Sequence, residues 1–159
     1  MPWFGTDVSW RSIWPAVVAV LCVSGASAQS EGGLYIAGAG FSFQVAAQRG
    51  LAENPGGRRF FLLVLPPETT ALSATAMPAA TALRNRVVAA NGVLLVCQRD
   101  IDNGRINPTG LTAGVVAVRG WPRQGGESLP DGQRYFPNEN PAQLPSANEA
   151  LRQLRSTCA

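Results

Sequence analysis

The sequence contains no histidine and no lysine, and all thirteen of its basic residues are therefore arginines. Without histidine, Ser-His-Asp and Cys-His catalysis and zinc sites with histidine ligands are excluded. Without lysine, Schiff-base chemistry and a P-loop lysine are excluded. The arginines are scattered along the chain and form no basic patch with interleaved aromatic residues, so we expect no nucleic-acid partner.

Cysteine is also scarce, with three residues in the chain. Cys22 lies in a stretch that we expect to be removed, which leaves Cys97 and Cys158. Two cysteines do not make a four-cysteine metal site, and no other pattern favours a metal or a cofactor. In an exported protein these two residues could instead form one disulfide.

The first 28 residues have the pattern of a cleavable signal peptide. Arg11 supplies a positive charge, Ile13–Val23 an apolar run, and small residues end at Ala28. A membrane span needs about 20 apolar residues, so this run is short for one, and an uncleaved N-terminal anchor is the alternative. We therefore expect a periplasmic or secreted protein, released from the membrane by cleavage at the end of 1–28.

Residues 29–121 alternate apolar runs with helical stretches, which predicts a single α/β domain with a mainly parallel sheet and right-handed crossovers. One helix is expected over Phe41–Asn54, capped by Ser42, and another from Pro78 to about Ala90. In the second helix we expect a buried stripe of Leu83, Val87 and Val88, and a solvent-facing side that includes Arg84, Asn85 and Arg86. The core strands are expected over four segments: Leu34–Ala37, Phe60–Leu65, Val93–Val96 and Val115–Val118.

Residues 122–159 read as a Pro/Gly-rich C-terminal extension that ends in a short helix. Five prolines between 122 and 145 favour an extended surface segment, with a small edge strand over Gln133–Phe136. In the final helix, Ser146 and Glu149 fit a capping box.

Cys97 is the candidate catalytic residue. It follows a buried strand, and open α/β sheets place ligand sites at the carboxyl ends of their strands. Arg99 lies two residues on and would share a side with Cys97 in extended chain, where its charge would favour the thiolate. Two other interpretations stay open: Cys97 is an inert core residue, or it forms a disulfide with Cys158 that stabilises the fold by about 4 kcal/mol.

Two further motifs are incomplete. Gly38-Ala39-Gly40 opens a helix whose N–H groups could bind an anion, but Phe43 stands where a dinucleotide fingerprint needs glycine. Asp100, Asp102 and Asn103 resemble a cation loop, but their spacing does not fit an EF-hand.

The strand Val93–Cys97, the polar loop after it and the run Leu111–Val118 together resemble the DsrE/DsrF-like family. The resemblance covers about residues 33–121 and implies a three-layer domain with a mainly parallel sheet of four or five strands between helices. It also implies that Cys97 could carry sulfur in a relay, as in several members of the family. The export signal and residues 122–130, which stand where the family has its last helix, depart from that pattern.

Two functions follow as hypotheses. The first is an exported thiol- or sulfur-handling protein that uses Cys97, with a sulfur donor or acceptor as its partner. The second is a non-catalytic binding or assembly module whose partner is another protein or a second copy of the chain. A buried or bridged Cys97 would favour the second hypothesis, and an accessible thiol would favour the first.

Overall fold

The residues that the structure describes form a four-stranded, fully parallel sheet whose strands lie side by side in the order of the sequence. The computed structural model describes residue 1 and residues 31–38, 40–121 and 134–159. The strands are β1 (Leu34–Ala37), β2 (Phe60–Val64), β3 (Gly92–Cys97) and β4 (Val116–Val118). All four predicted core strands are present, which confirms an α/β fold with a parallel sheet.

Helices cover both faces of this sheet. They are α1 (Phe43–Glu53), α2 (Pro78–Ala89), the short α3 (Gln98–Asp102) and α4 (Asn148–Thr157). One face packs against buried residues of α1 and α2, and the other packs against α4. The three layers follow from the alternation of side chains along each strand, which sends an apolar residue to each face in turn.

The turn before α1 is closed by the protein's own groups. Gly38 and Gly40 both have positive φ, which glycine adopts without strain. The Ser42 hydroxyl accepts a hydrogen bond from the Val45 N–H at 3.3 Å, so the predicted cap is confirmed. The Glu68 carboxylate accepts from the Phe43 N–H at 2.7 Å, which places a protein carboxylate at the helix end considered above for an anion.

Two predictions about α2 are wrong. Arg84 was expected in solvent, but it is buried, and its guanidinium donates to the carbonyl oxygens of Ala71 and Ser73 at 3.2 and 2.8 Å. Val88 was expected in the buried stripe, but it is 56% exposed. No local pattern indicates that the chain before α2 turns back, so that two of its carbonyl groups accept from Arg84.

The predicted capping box of α4 does not form, because the helix begins at Asn148 rather than after Ser146. Ser146 is instead bound by Glu31, whose carboxylate accepts from the Ser146 N–H and hydroxyl at 2.8 and 2.9 Å. The same carboxylate accepts from the Ala147 N–H at 3.2 Å. Glu31, which is distant in sequence, therefore binds the chain before α4, where Glu149 was expected to do so.

The N- and C-terminal segments are described only in part. Residues 2–28 of the predicted signal peptide, and residues 122–133 of the extension, lie outside the described residues. The predicted edge strand is wrong over 134–136, where the backbone forms a bend, and Gln133 lies outside the description. No helix among the described residues is long and apolar enough to cross a membrane.

Candidate functional site

Cys97 is the last residue of β3, and β3 lies between β2 and β4 in the sheet. The predicted position of Cys97 at the carboxyl end of a central strand is therefore correct. Its side chain is fully buried on the face covered by α4, and its sulfur is bonded to that of Cys158. Cys158 follows the last residue of α4 and is 2% exposed, so the bridge ties the end of this helix to the centre of the sheet.

The bridge determines what Cys97 can do in this state. The nucleophile in cysteine chemistry is the thiolate, and a sulfur in a disulfide has no proton to lose. Of the three interpretations left open by the sequence, the structure has the disulfide. The catalytic role stays a prediction, and it would require the bridge to be reduced first.

Arg99 lies near the bridge, but by a different route from the one expected. The residues after Cys97 turn into α3 instead of continuing as extended chain. The Arg99 guanidinium donates to the main-chain oxygen of Ala159, the residue after Cys158. Its Nε is also 3.9 Å from the Asp100 carboxylate. Arg99 therefore reaches the Cys158 side of the bridge and holds the chain beyond α4.

The strand order bears on the expectation of a ligand site at this edge. In open α/β sheets the site lies at the switch point, where the strand order reverses and adjacent loops separate. The four described strands follow one another without reversal, so this part of the sheet has no switch point beside Cys97. This edge of the sheet is occupied instead by α3, by Arg99 and by the end of α4.

A second cluster, of charged groups and aromatic rings, surrounds Arg155 and was not predicted from the sequence. The Arg155 side chain has no exposed surface, and its guanidinium binds both carboxylate oxygens of Glu139 at 3.1 and 2.6 Å. It also donates to the carbonyl oxygens of Arg119 and Arg134 at 3.0 and 2.8 Å. We call this group the Arg155 cluster. It joins the chain after β4, the segment from residue 134 and α4.

Aromatic rings complete the Arg155 cluster. The guanidinium carbon lies 4.7 Å from the centre of the Phe136 ring and 5.8 Å from that of Trp121. The spacing of Arg155 from Leu151 is one signal that could have revealed its burial. Residues four apart share a helix face, so an arginine at this place follows the buried leucine stripe.

A groove with a volume of about 510 Å³ runs along the outer edge of β1. Its apolar side includes Phe41 and Val45, and its polar end holds Arg49 and Glu53. We call it the β1 groove. Its lining includes Leu34, Tyr35, Ile36, Phe41, Val45, Arg49, Glu53 and Gln153.

The polar end of the β1 groove is a connected hydrogen-bond network. The Tyr35 hydroxyl donates to Glu53 at 2.9 Å and accepts from the Asn54 amide at 2.9 Å, and Arg49 binds Glu53 at 2.7 Å. Burial, and then the hydrogen bond to Glu53, raise the pKa of Tyr35. The hydrogen bond from Arg49, and then that from Tyr35, lower the pKa of Glu53.

The described residues offer no group of three or more side chains placed to hold a metal ion. Asp100, from the loop that resembled a cation site, lies within α3 and is buried. Its carboxylate lies 3.7 Å from Arg105 and 3.9 Å from Arg99, so its nearest charges are the protein's own.

Together the fold and the site define a parallel α/β protein with a buried disulfide between its central strand and its last helix. Comparison with protein-family models, curated proteins and solved structures gives no match. The DsrE/DsrF-like resemblance therefore stays a prediction from the sequence.

Proposed function

We propose that this chain is an exported, DsrE-like binding or assembly module without catalytic activity. One observation carries the proposal: the two cysteines that follow the predicted signal peptide form a buried bridge with each other. A sulfur carrier needs an accessible thiolate to receive its cargo, and this state offers none.

The bridge also supports the proposed location. Disulfides form and persist in oxidising compartments such as the periplasm and the extracellular space, and are rare in the cytosol. A bridge between a central strand and a terminal helix in a chain with a signal-like start favours a structural role in such a compartment. The bridge itself supports export without reference to the sequence pattern in residues 1–28.

Thiol or sulfur handling through Cys97 is the second candidate, and the position of Arg99 favours it. An external dithiol would attack the bridge and be oxidised to a disulfide, while Cys97 and Cys158 become thiols. Arg99 already contacts the residue next to Cys158, where its charge would stabilise a thiolate. The protein's partner would then be a sulfur donor or acceptor.

Intact-mass analysis of protein purified from the exporting compartment separates the two candidates. We expect the mass of a chain that begins at Gln29 and has one bridge, with no sulfur adduct. After reduction, iodoacetamide should leave Cys97 unmodified until denaturant is added, because this residue is fully buried.

A sulfur adduct on Cys97, or rapid labelling of Cys97 in the reduced and folded protein, would instead establish the thiol function. The variant Arg99→Ala is the control for that outcome. It should slow labelling at neutral pH if Arg99 stabilises a thiolate, and leave the rate unchanged otherwise. Retention of residues 1–28 on the exported protein would show that the signal peptide is an anchor.

A further inference from the structure

The outer edge of β1 has unpaired backbone groups. The carbonyl oxygens of Gly33 and Ala37 accept from the N–H groups of Phe61 in β2 and of Leu65, the residue after β2, at 3.1 and 2.9 Å. Backbone groups alternate in direction along a strand, so the N–H and C=O groups of Leu34 and Ile36 point away from β2. No residue in the described ranges pairs with this edge.

This edge also lacks the features that usually prevent association of sheets. Natural edge strands carry lysine or proline, contain a bulge, or are covered by another segment. The residues of β1 are Leu-Tyr-Ile-Ala and pair regularly with β2. Beside the strand, Phe41 and Val45 are 59% and 49% exposed, so apolar surface flanks the open edge.

The charges of the β1 groove indicate which partner fits. Arg49 and Glu53 lie at its rim and neutralise one another, so the groove selects neither an acidic nor a basic peptide. A second copy of the chain presents the same cation and the same anion. Around a two-fold axis, the cation of one copy can lie opposite the anion of the other, without repulsion.

We propose that β1 pairs antiparallel with β1 of a second copy, which extends the sheet across a two-fold axis. This inference rests on the proposed function, since it names the partner of the assembly module.

The register of this pairing follows from the alternation along the strand. Leu34 and Ile36 are the residues whose backbone groups face outward, so they must form the hydrogen-bonded pairs. Leu34 of one copy then lies opposite Ile36 of the other, and the two Tyr35 residues meet at the axis. Every outward N–H and C=O group of β1 gains a partner, and α1 of each copy lies on the same face of the joined sheet.

The described residues on either side of 122–133 are held on the β4 side of the sheet, away from this edge. The residues that flank them, Trp121 and Arg134, both contact Arg155. Arg155 also binds the carbonyl of Arg119, which follows β4, and β4 lies at the opposite end of the strand order from β1. Residues 2–30, of which only 29 and 30 remain after the proposed cleavage, precede the described segment 31–38, and their binding to this edge is a separate outcome of the test.

Sedimentation velocity on the oxidised protein over a range of concentrations tests the proposal. We expect a reversible dimer that Val45→Arg weakens by about tenfold or more, because the new charge occurs twice in the interface and is buried there. The matched control is Val88→Arg, an exposed valine on α2 outside the β1 groove, which should dimerise like the wild type. Circular dichroism of each variant checks that it is folded.

Amide hydrogen exchange by NMR provides a second measurement that needs no variant. We expect the Leu34 and Ile36 amides to exchange fast in dilute protein and slowly where the dimer forms. A monomer at every concentration overturns the proposal, and slow exchange in that monomer means that residues 2–30 or another segment covers the edge. A dimer with unprotected amides, or one that Val88→Arg weakens equally, places the interface elsewhere and also overturns it.

Failure here is distinguishable from failure of the proposed function. A monomer with an intact bridge and an unreactive Cys97 would overturn the proposed dimer. It would leave the proposal of a non-catalytic binding module in place, with a different partner. A reactive Cys97 would overturn the proposal of a non-catalytic module, whether the protein is a monomer or a dimer.

Discussion

Arg155 shows how a charge is accommodated inside this small protein. A buried guanidinium is costly unless it is paired and hydrogen-bonded. Here Glu139 supplies the opposite charge in a bidentate pair, and two carbonyl oxygens accept further hydrogen bonds. The Nε atom is the part of the group with no hydrogen-bond partner in the described structure.

We predict that Arg155→Met lowers the free energy of unfolding by about 3–5 kcal/mol, because it leaves the mostly buried Glu139 carboxylate without its cation. Chemical denaturation measures the loss. The matched control is Arg152→Met on the same helix, whose side chain is 64% exposed and which should change stability by less than about 0.5 kcal/mol. Equal effects of the two variants would contradict the assignment.

The Tyr35–Glu53 pair gives stability a dependence on pH at both ends of the scale. The pKa of Glu53 is lowered in the folded protein. Its contribution to the free energy of unfolding is therefore complete above the ordinary pKa range of a carboxyl group, and is lost as pH falls through the lowered pKa. The pKa of Tyr35 is raised, so its contribution is present below about pH 10 and is lost as pH rises through the raised pKa.

We therefore predict that Glu53→Gln lowers the pKa of Tyr35, because it removes an anion and a strong acceptor beside the hydroxyl. Ultraviolet titration of the two tyrosines measures this. Tyr135 is the internal reference, since its raised pKa has other causes, namely burial and then the charge of Glu31. A shift of Tyr135 alone, or of neither tyrosine, would be the contrary result.

At the scale of elements, the bridge joins the centre of the sheet to the helix that covers one of its faces. Cys97 and Cys158 are separated by 61 positions, so the bond restricts a large part of the unfolded chain. We predict that Cys158→Ala and the double variant Cys97→Ala, Cys158→Ala each lose about 4 kcal/mol, because either change breaks the same bond.

Unfolding in urea, with and without reductant, measures the loss from the bridge. The reduced wild type should resemble the variants, and reductant should not change the variants themselves. A wild type whose stability is unaffected by reduction would show that the bridge is absent in solution.

The elements themselves were largely predictable, and their ends were not. Continuous apolar runs such as Phe60–Val64 predict a strand buried on both faces, because few other structures bury every residue of such a run. The start of α4 was misplaced because Glu31, more than a hundred positions away, takes the role expected of Ser146 and Glu149. Local patterns do not contain such distant contacts.

The candidate site was predictable to a similar extent. The place of Cys97 followed from the strand before it, and the bridge to Cys158 was one of three open interpretations. The sequence could not choose among them, because the choice depends on how α4 lies against the sheet. The open edge of β1 was hidden for the same reason, since strand order is a property of the whole fold.

At the scale of the whole molecule, the strand order explains why α4 is needed. Right-handed crossovers between strands that follow in sequence place their helices on one face of the sheet. α1 and α2 occupy that face, which would leave the apolar residues of the other face in water. A helix from the end of the chain covers them, and the bridge and the Arg155 cluster fix it there.

The Arg155 cluster has a consequence for changes in chain length. Arg155 holds both Trp121 and Arg134, so residues 122–133 begin and end at the same side chain. When both ends of a segment are already fixed, doubling its length costs only about 0.6 kcal/mol in closure entropy. We predict that a Gly/Ser insertion that doubles this segment lowers the free energy of unfolding by no more than about that amount. A loss as large as that of Arg155→Met would mean that the native residues 122–133 pack against the domain. If the loss is small, this segment can accept an inserted peptide tag, or a small folded domain, without destabilising the α/β core.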